Sequence, residues 1–422
     1  MGPSAPDPAS TTQTGQRHKN RWPVTVALFM AASFAESLAW GHFTAFTPLY
    51  LRQLHVPAGQ VATWTGLMGA LGLLGLPLLP FWGAWAERYG RKPVIVRSSV
   101  VEAVLFAVAA MAQTPWELAA ARMLSALAMG NTGVMLAVQS DITPSRRTGL
   151  AIALVASGSS VAAAVGPLIG GFIAAGPGLR TLFWIDSAAS AAGALLLMAF
   201  LKEEPRTPST AKTRQLALSA VKDVMQTPAV RQLFLVFFLF ALGLGAVQPF
   251  LPLWVGVAYQ HAHVTTPLPV VIGLVFGVSG AALALGTPLL GWLGDRTGAL
   301  ASLRLSLVGN AVGMVGQAWV AVLDVIAVSR TVQGLFQGGV SANLMTLLAK
   351  VSPPDRKSSI MNLSILPQQL SWFLGPLLGT AVVGAWGLQA MLWMAAVLTV
   401  GGALTAYVGL SRVQPHASSV AS

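Results

Sequence analysis

The sequence predicts an all-α integral membrane protein with twelve transmembrane helices, arranged as two six-helix bundles related by pseudo-symmetry. Three observations predict it. Of 422 residues, 55% are hydrophobic and only 9% charged, with mean hydropathy +0.68, whereas soluble domains are about a quarter charged. Apolar runs of roughly 20 residues recur from end to end, the length that crosses a bilayer as a helix. The two halves of the chain also repeat one another at a nearly constant offset.

Apolar windows place the spans at 23–51, 61–86, 93–113, 115–140, 147–175 and 180–201, then at 231–258, 268–294, 301–322, 324–350, 357–384 and 387–411. The short alternating segments of a transmembrane barrel are absent. Residues 1–22 are polar, precede the first apolar run without a signal-peptide pattern, and are expected to form a disordered cytoplasmic tail. Residues 23–201 then form the first bundle, 202–230 a basic cytoplasmic linker, 231–411 the second bundle and 412–422 a second tail. The linker carries Leu216, Leu218, Val221, Val224 and Met225, a pattern suited to a short interfacial helix.

Charge orients the spans. The two tails and the 2–3, 4–5, 6–7, 8–9 and 10–11 loops, with their adjoining end turns, hold 21 of the 25 Lys and Arg. The opposite loops hold only Arg52 and Arg180, while Arg122 and Arg330 fall inside spans. This positive-inside bias places both termini in the cytoplasm. The net charge of +12 is thus a topology signal that suits anionic lipid headgroups, and no nucleic-acid partner is expected. With no cysteine, the chain has no disulfide framework or thiol nucleophile. It lacks a phosphate-cradling Gly-Lys-Ser/Thr loop, a metal-ligand spacing and a nucleophile elbow. Neither an enzyme nor an ATP-driven pump subunit is expected, nor a metal or cofactor.

The repeat is read residue by residue. Gly83 and Glu87-Arg88 recur as Gly291 and Asp295-Arg296, and Arg122 as Arg330, all 208 positions later. Pro144 recurs as Pro353, and Gly166-Pro167 as Gly375-Pro376, both 209 later. Six spans per half make the repeats parallel, about an axis along the membrane normal. Secondary transporters use this plan, binding substrate between the halves near the midplane while the halves rock. A duplicated bundle without transport is the plainer alternative.

The 2–3 loop reads GAWAERYGRKP, Gly83 to Pro93. It resembles motif A of the major facilitator superfamily, Gly-x-x-x-Asp-Arg-x-Gly-Arg-Lys/Arg, with Glu87 in place of the Asp. Gly83, Arg88, Gly90, Arg91 and Lys92 match. The resemblance implies a gating cluster in which Glu87 and Arg91 join an acid at the inner end of span 4, here Asp141, with the motif acid facing span 11 in the outward-open state. The second copy keeps Asp295 and Arg296 but follows Gly298 with Ala299-Leu300, so the basic tail is lost. GPLIGG in span 5 (Gly166, Pro167, Gly170, Gly171) resembles the core of motif C, which marks drug:proton antiporters. The expected upstream Gly is Ala162. Small residues there would bring spans 5 and 8 together, and Gly375-Pro376 is a looser copy. Arg122 resembles the motif B arginine associated with proton relay, although Ala126 stands where Gly is usual, and Arg330-Thr331-Val332-Gln333-Gly334 is the closer match. Because an Arg does not deprotonate in proteins, its role would be to bias a carboxylate or bind an anionic group; snorkelling outward is the alternative.

Glu36 lies about 13 residues into span 1, near the midplane. A carboxylate there costs roughly 2.5–3.5 kcal/mol on the lenient insertion scale. Ser33, Trp40, Phe43, Thr44 and Thr47 share its face, a stripe suited to a water-filled cavity. The resemblance implies that spans 1, 4, 7 and 10 line that cavity. Such a carboxyl can trade a proton and, ionised, attract a cation beside Trp40 and Phe43. Glu102 in span 3 is a secondary proton candidate, and Asp186 in span 6 is read as interfacial. A relay through His42, about 120° off the Glu36 face, is a weak idea. Gln248, Gln337 and Asn343 are read as cavity hydrogen-bonding groups or, alternatively, interhelical glue. The resulting expectation is a monomeric, proton-coupled exporter of small hydrophobic or cationic compounds in a prokaryotic plasma membrane. A sugar or metabolite facilitator and a non-transporting receptor or scaffold remain open alternatives.

Overall fold

The computed structural model describes residues 22–71, 74–75, 79–128, 131–144, 146–202, 226–353, 360–361 and 363–410; the side chains at 79, 80, 83, 84, 87 and 126–128 are outside the described set. Residues 1–21 and 412–422 of the expected tails and 203–225 of the linker, including its apolar pattern, lie outside the described residues, while Trp22 and Pro228–Val230 already belong to helices.

Fourteen helices among the described residues make the twelve spans. Span 1 is α1 (Trp22–Gln53); span 2 is α2 (Ala58–Leu71) and α3 (Leu79–Tyr89); span 3 is α4 (Arg91–Met111). Span 4 is α5 (Pro115–Ala128) and α6 (Asn131–Ile142), and spans 5 and 6 are α7 (Thr148–Ala175) and α8 (Leu179–Phe200). Span 7 is α9 (Pro228–Val247) and α10 (Leu251–Gln260), followed by α11 (Leu268–Thr297), α12 (Ala299–Trp319) and α13 (Leu323–Val351) as spans 8 to 10. Spans 11 and 12 are one element, α14 (Leu366–Gly409), reversed at Gly387, whose φ is +87°.

The sequence placed span 7 as one helix over 231–258 and began span 11 at 357; both differ here. Span 7 is interrupted by a turn at Gln248–Phe250, because Pro249 has no N–H to give and its ring crowds the preceding turn. Span 11 becomes a continuous helix only at Leu366, after a turn at Ser364–Ile365, with Pro367 in its first turn. Span 2 turns at Leu74–Gly75, in a stretch that Gly72, Gly75 and Pro77 weaken as a helix.

The duplication is visible in the backbone. Positive φ occurs at Gly90, Gly178, Gly298 and Gly387, which pair at offsets of 208 and 209, those of the sequence repeat. Each begins or reverses a span where an L-residue with a Cβ would be strained.

Burial divides by depth. One core joins both halves on the side of the 1–2, 5–6 and 11–12 loops, with Phe46 and Tyr50 of span 1, Phe106 of span 3, Phe250 and Trp254 of span 7, Ile272 of span 8 and Met391 of span 12. On the side of the chain termini there are two cores instead. Phe29, Ile95, Met135 and Leu197 belong to the first bundle, and Val236, Leu307, Leu344 and Ala406 to the second. The halves are therefore closed together on the loop side and separate on the terminal side. The outer faces expose Leu195, Val397 and Leu404, as a lipid-facing surface requires. Trp116, Trp319 and Trp386 stand exposed near the loop-side ends, where an aromatic belt sits.

The halves meet through nearly bare backbone. A Cβ on Gly273 of span 8 would strike the Pro167 carbonyl of span 5, and one on Gly280 the Ala163 carbonyl. A Cβ on Gly171 would lie 2.6 Å from the Pro269 carbonyl. Across the molecule, a Cβ on Gly69 of span 2 would lie 2.9 Å from Pro376 of span 11, and one on Gly66 would strike the Thr380 hydroxyl. These are the approaches that small residues permit in a membrane, where no hydrophobic drive pulls helices together.

Gly273→Leu should lower the melting temperature of the purified protein by several degrees, since overpacking costs about 1–3 kcal/mol. Gly401→Ala, which meets nothing within 4 Å, should leave it unchanged or slightly higher, because Gly inside a helix costs roughly 0.5–1 kcal/mol. Intrinsic fluorescence during heating reads both.

Candidate functional site

Between the halves lies a cavity of about 330 Å³. Span 1 supplies Phe43, Thr44 and Thr47, and span 2 Thr65, Met68 and Gly69. Arg122 enters from span 4 and Arg330 from span 10. The break in span 7 places Gln248 and Pro249 on the wall, span 8 adds Phe276 and Ser279, and Gln337, Trp372 and Pro376 complete it. Of the residues singled out from sequence, Phe43, Thr44, Gln248, Gln337, Arg122 and Arg330 thus line one space. The threonines present little donor capacity to it: Thr44 and Thr47 donate their hydroxyls to carbonyls one turn back, as does Thr65.

Arg122 donates through Nε to the Met68 carbonyl at 2.8 Å. Its guanidinium lies 4.5 Å from the Trp40 ring and 5.3 Å from Phe43. Arg330 is 5% exposed, donates to Gln333 Oε1 at 2.7 Å and stands 5.6 Å from the Phe276 ring. Gln317 donates to the same Gln333 oxygen, which holds that side chain for the arginine. Neither arginine has a carboxylate partner among the described residues.

Glu36, Trp40, Glu102 and Asn343, expected at the cavity or its proton site, are not on its wall. Glu36 turns toward span 4, where Asn131 Nδ2 donates to its Oε2 at 2.9 Å. Trp40 sits behind Arg122 and donates its indole N–H to Glu102 at 3.1 Å. The two carboxyls lie close enough to interact electrostatically. Glu102 is buried and anchored to span 1 through Trp40. Asn343 donates to the Leu290 carbonyl and to Ser302 Oγ, which is glue between spans 8, 9 and 10. No sequence pattern marks Asn131, a lone amide between Gly130 and Thr132.

On the terminal side Arg91 donates to Asp141 at 2.8 Å, tying the start of span 3 to the end of span 4. Lys92 caps the Met198 carbonyl of span 6 at 2.6 Å, and Arg88 lies beside the Tyr89 ring. Gly83, in α3, and Gly90, its φ positive, frame the turn; the Glu87 side chain lies outside the described set. In the second copy Asp295 and Arg296 are exposed, and Arg296 covers the Trp292 ring at 4.1 Å. Among the described residues α3 packs on α4 and α6 of its own half.

A family model described as Major Facilitator Superfamily matches residues 28–271 and 261–421. The chain belongs to the Major Facilitator Superfamily. It is thereby a multi-pass membrane transporter of the secondary type, and not an enzyme. Similar proteins include the Multidrug resistance protein MdtG of Serratia proteamaculans, 27% identical over 396 residues that cover 93% of this chain and 95% of that protein. The MdtG of Klebsiella pneumoniae is 28% identical over 403 residues, covering 94% and 96%. Among solved structures, the nucleoside transporter NupG superposes with TM-score 0.70 at 15% identity, over 92% of this chain and 100% of that one. A bacterial homolog of the human lysosomal transporter Spinster, inward-facing and unoccupied, gives 0.72 at 15% identity, over 93% and 97%.

In this superfamily member the GPLIGG segment has a second role besides packing on span 8. His42 of span 1 inserts against it: its Nε2–H donates to the Gly166 carbonyl at 2.9 Å, and its Nδ1 meets Asp186 Oδ1 at 2.8 Å. A Cβ on Gly170 would strike the His42 ring. Asp186, read from sequence as interfacial, is 0% exposed and its partner 1%. The Gly166 carbonyl can only accept, so the pair shares one proton between Nδ1 and Oδ1 and is neutral overall. It pins spans 1, 5 and 6 together within the first bundle.

Asp186→Ala should leave the His42 Nδ1 buried without its partner and destabilise the protein by about 1–3 kcal/mol. Adding His42→Ala should cost less than the sum of the single changes, a coupling that a thermal double-mutant cycle measures.

Proposed function

We propose that this transporter exports small, largely hydrophobic drug-like compounds by proton-coupled alternating access. We place it in the plasma membrane of a prokaryote, as a monomer with both termini cytoplasmic. The observation that carries the reading is the cavity between two bundles that share a core on one side and are separate on the other. A volume near 330 Å³ is in the range of small-molecule pockets, and the wall is mostly apolar. The positive-inside bias puts the open side at the cytoplasm, so the state described is the one that loads cargo for export. The relatives named as multidrug resistance proteins support the same direction and cargo type.

The proton site of this proposal is the Glu36–Glu102 pair. It lies one layer behind the cavity, and Trp40 connects it to the wall: the indole N–H is held by Glu102 while its ring face meets Arg122. Gain or loss of a proton there changes the charge behind Arg122 and the bonds that join spans 1, 3 and 4. The Arg91–Asp141 cluster is proposed as the gate that meets span 11 when the terminal side closes. The Gly and Pro contacts between spans 5 and 8 and between 2 and 11 are the surfaces that part on the loop side.

Proteoliposomes with an imposed pH gradient test this with a panel of small apolar dyes. One pH unit supplies about 1.4 kcal/mol per proton, so coupled transport by the native protein should build roughly a tenfold concentration ratio per unit and per proton. Glu36→Gln should abolish gradient-driven accumulation while leaving downhill exchange. Undiminished coupled transport in that variant would remove Glu36 from the proton role and pass it to Glu102 or Asp186.

A further inference from the structure

Span 5 meets span 8 through two turns around Pro167. The Pro167 carbonyl faces Gly273, and Gly171 faces the Pro269 carbonyl. Pro167 has no N–H, so the Ala163 carbonyl one turn back lacks its in-helix donor and faces Gly280. Another face of the same segment is held by His42, whose Nε2–H donates to the Gly166 carbonyl and whose ring fills the space over Gly170. Its Nδ1 and Asp186 Oδ1 stand 2.8 Å apart, with the two side chains 1% and 0% exposed. That contact requires a proton; without one, two lone pairs face each other and an unpaired negative charge is left buried. Asp186 Oδ2 has no hydrogen-bond partner, nor has Ser190 Oγ one turn along span 6.

The other titratable groups on the surrounding elements are engaged elsewhere. Span 5 has none, nor has α2. On span 1, Glu36 is held by Asn131, Tyr50 donates to the Ala109 carbonyl, and Arg52 is exposed. Glu102 of span 3 is held by Trp40, and Arg122 of span 4 lies on Trp40 and Phe43. Arg180 of span 6 donates to the Ala112 carbonyl and Tyr259 of span 7 to the Thr266 carbonyl. Arg91, Lys92 and Arg97 of span 3, Asp141 of α6, and Asp295 and Arg296 of span 8 lie toward the terminal side. Of all these, His42 is the group that bears on Asp186. We propose that the His42–Asp186 pair is a proton-operated latch for the loop side. Holding its proton, the pair fixes the Gly166–Gly171 segment against span 8. Losing it, the pair parts, His42 no longer props the segment, and the contact with span 8 opens to water. One proton enters from that water between Nδ1 and Oδ1 as the loop side closes, and returns to it on opening. Raising the pH therefore favours the loop-side-open state. The inference rests on the alternating-access reading and not on the Glu36–Glu102 pair as coupling site.

The test follows the loop-side distance in the full chain, in nanodiscs of zwitterionic lipid with no cargo and no gradient. Spin labels at Gln60→Cys and Trp386→Cys, both exposed positions, report the ratio of open to closed molecules. One linked proton changes such a ratio by up to about tenfold per pH unit. With His42 and Asp186 intact, the ratio should rise at least about tenfold between about pH 5 and about pH 9. Asp186→Asn sets a permanent N–H against Nδ1 and should keep the loop side closed, with no change over the same range. His42→Gln, the alternative if that variant does not fold, should lose the pH response as well. A ratio that is flat or falls with rising pH when the pair is intact would overturn the proposal. So would a pH response retained in either folded variant. Loss of gradient-driven accumulation in Glu36→Gln bears only on the coupling site.

Discussion

The molecule depends on glycines that let helices of its two halves approach closely. Pro167 and Ala163 of span 5 offer carbonyls to Gly273 and Gly280 of span 8, and Gly66 and Gly69 of span 2 lie against Thr380 and Pro376 of span 11. Contacts of this type are flat. They bring the helices of the two halves into close van der Waals approach beside the shared loop-side core. A side chain at any of these glycines would hold the halves at a different distance. The cavity exists because the contacts seal one end while the terminal-side cores remain separate.

Inside each half the logic reverses, and polar bonds do the fastening. His42, Asp186 and the Gly166 carbonyl knit spans 1, 6 and 5; Asn343 and Ser302 knit spans 8, 9 and 10. Each satisfied bond is strong where water is scarce and leaving it unmade is expensive. A bundle fastened in this way moves as a body. Rigid halves with a plain seam between them give the mechanical basis of alternating access.

Much of this was legible in the chain. Span number, the twofold repeat and the seam residues all express themselves locally: apolar length, glycine next to proline, a charge recurring 208 residues on. Arg122 and Arg330 stood out because the same expensive group appears twice at equivalent depth. The facing of Glu36 was not legible. Helical spacing put it on the stripe of Thr44 and Thr47, yet Asn131, 95 residues away, takes its carboxylate toward span 4. Trp40 likewise follows Glu102, and Asp186 finds His42 across 144 residues. Partner choice among distant spans depends on packing angles that no periodicity encodes, and the turn at Gln248–Phe250 required knowing which of several prolines breaks its helix.

The central claim is that the two sides of the seam open in opposition about rigid halves. The chain has no cysteine, so spin-label pairs can be introduced without background. Gln60→Cys with Trp386→Cys reports the loop side, and Tyr89→Cys with Ile365→Cys the terminal side, all four positions being exposed. Pulsed electron-spin distances across a pH jump with cargo present should change in opposite senses, the terminal-side pair shortening as the loop-side pair lengthens. Two distances that stay fixed, or that lengthen and shorten together, would contradict the account.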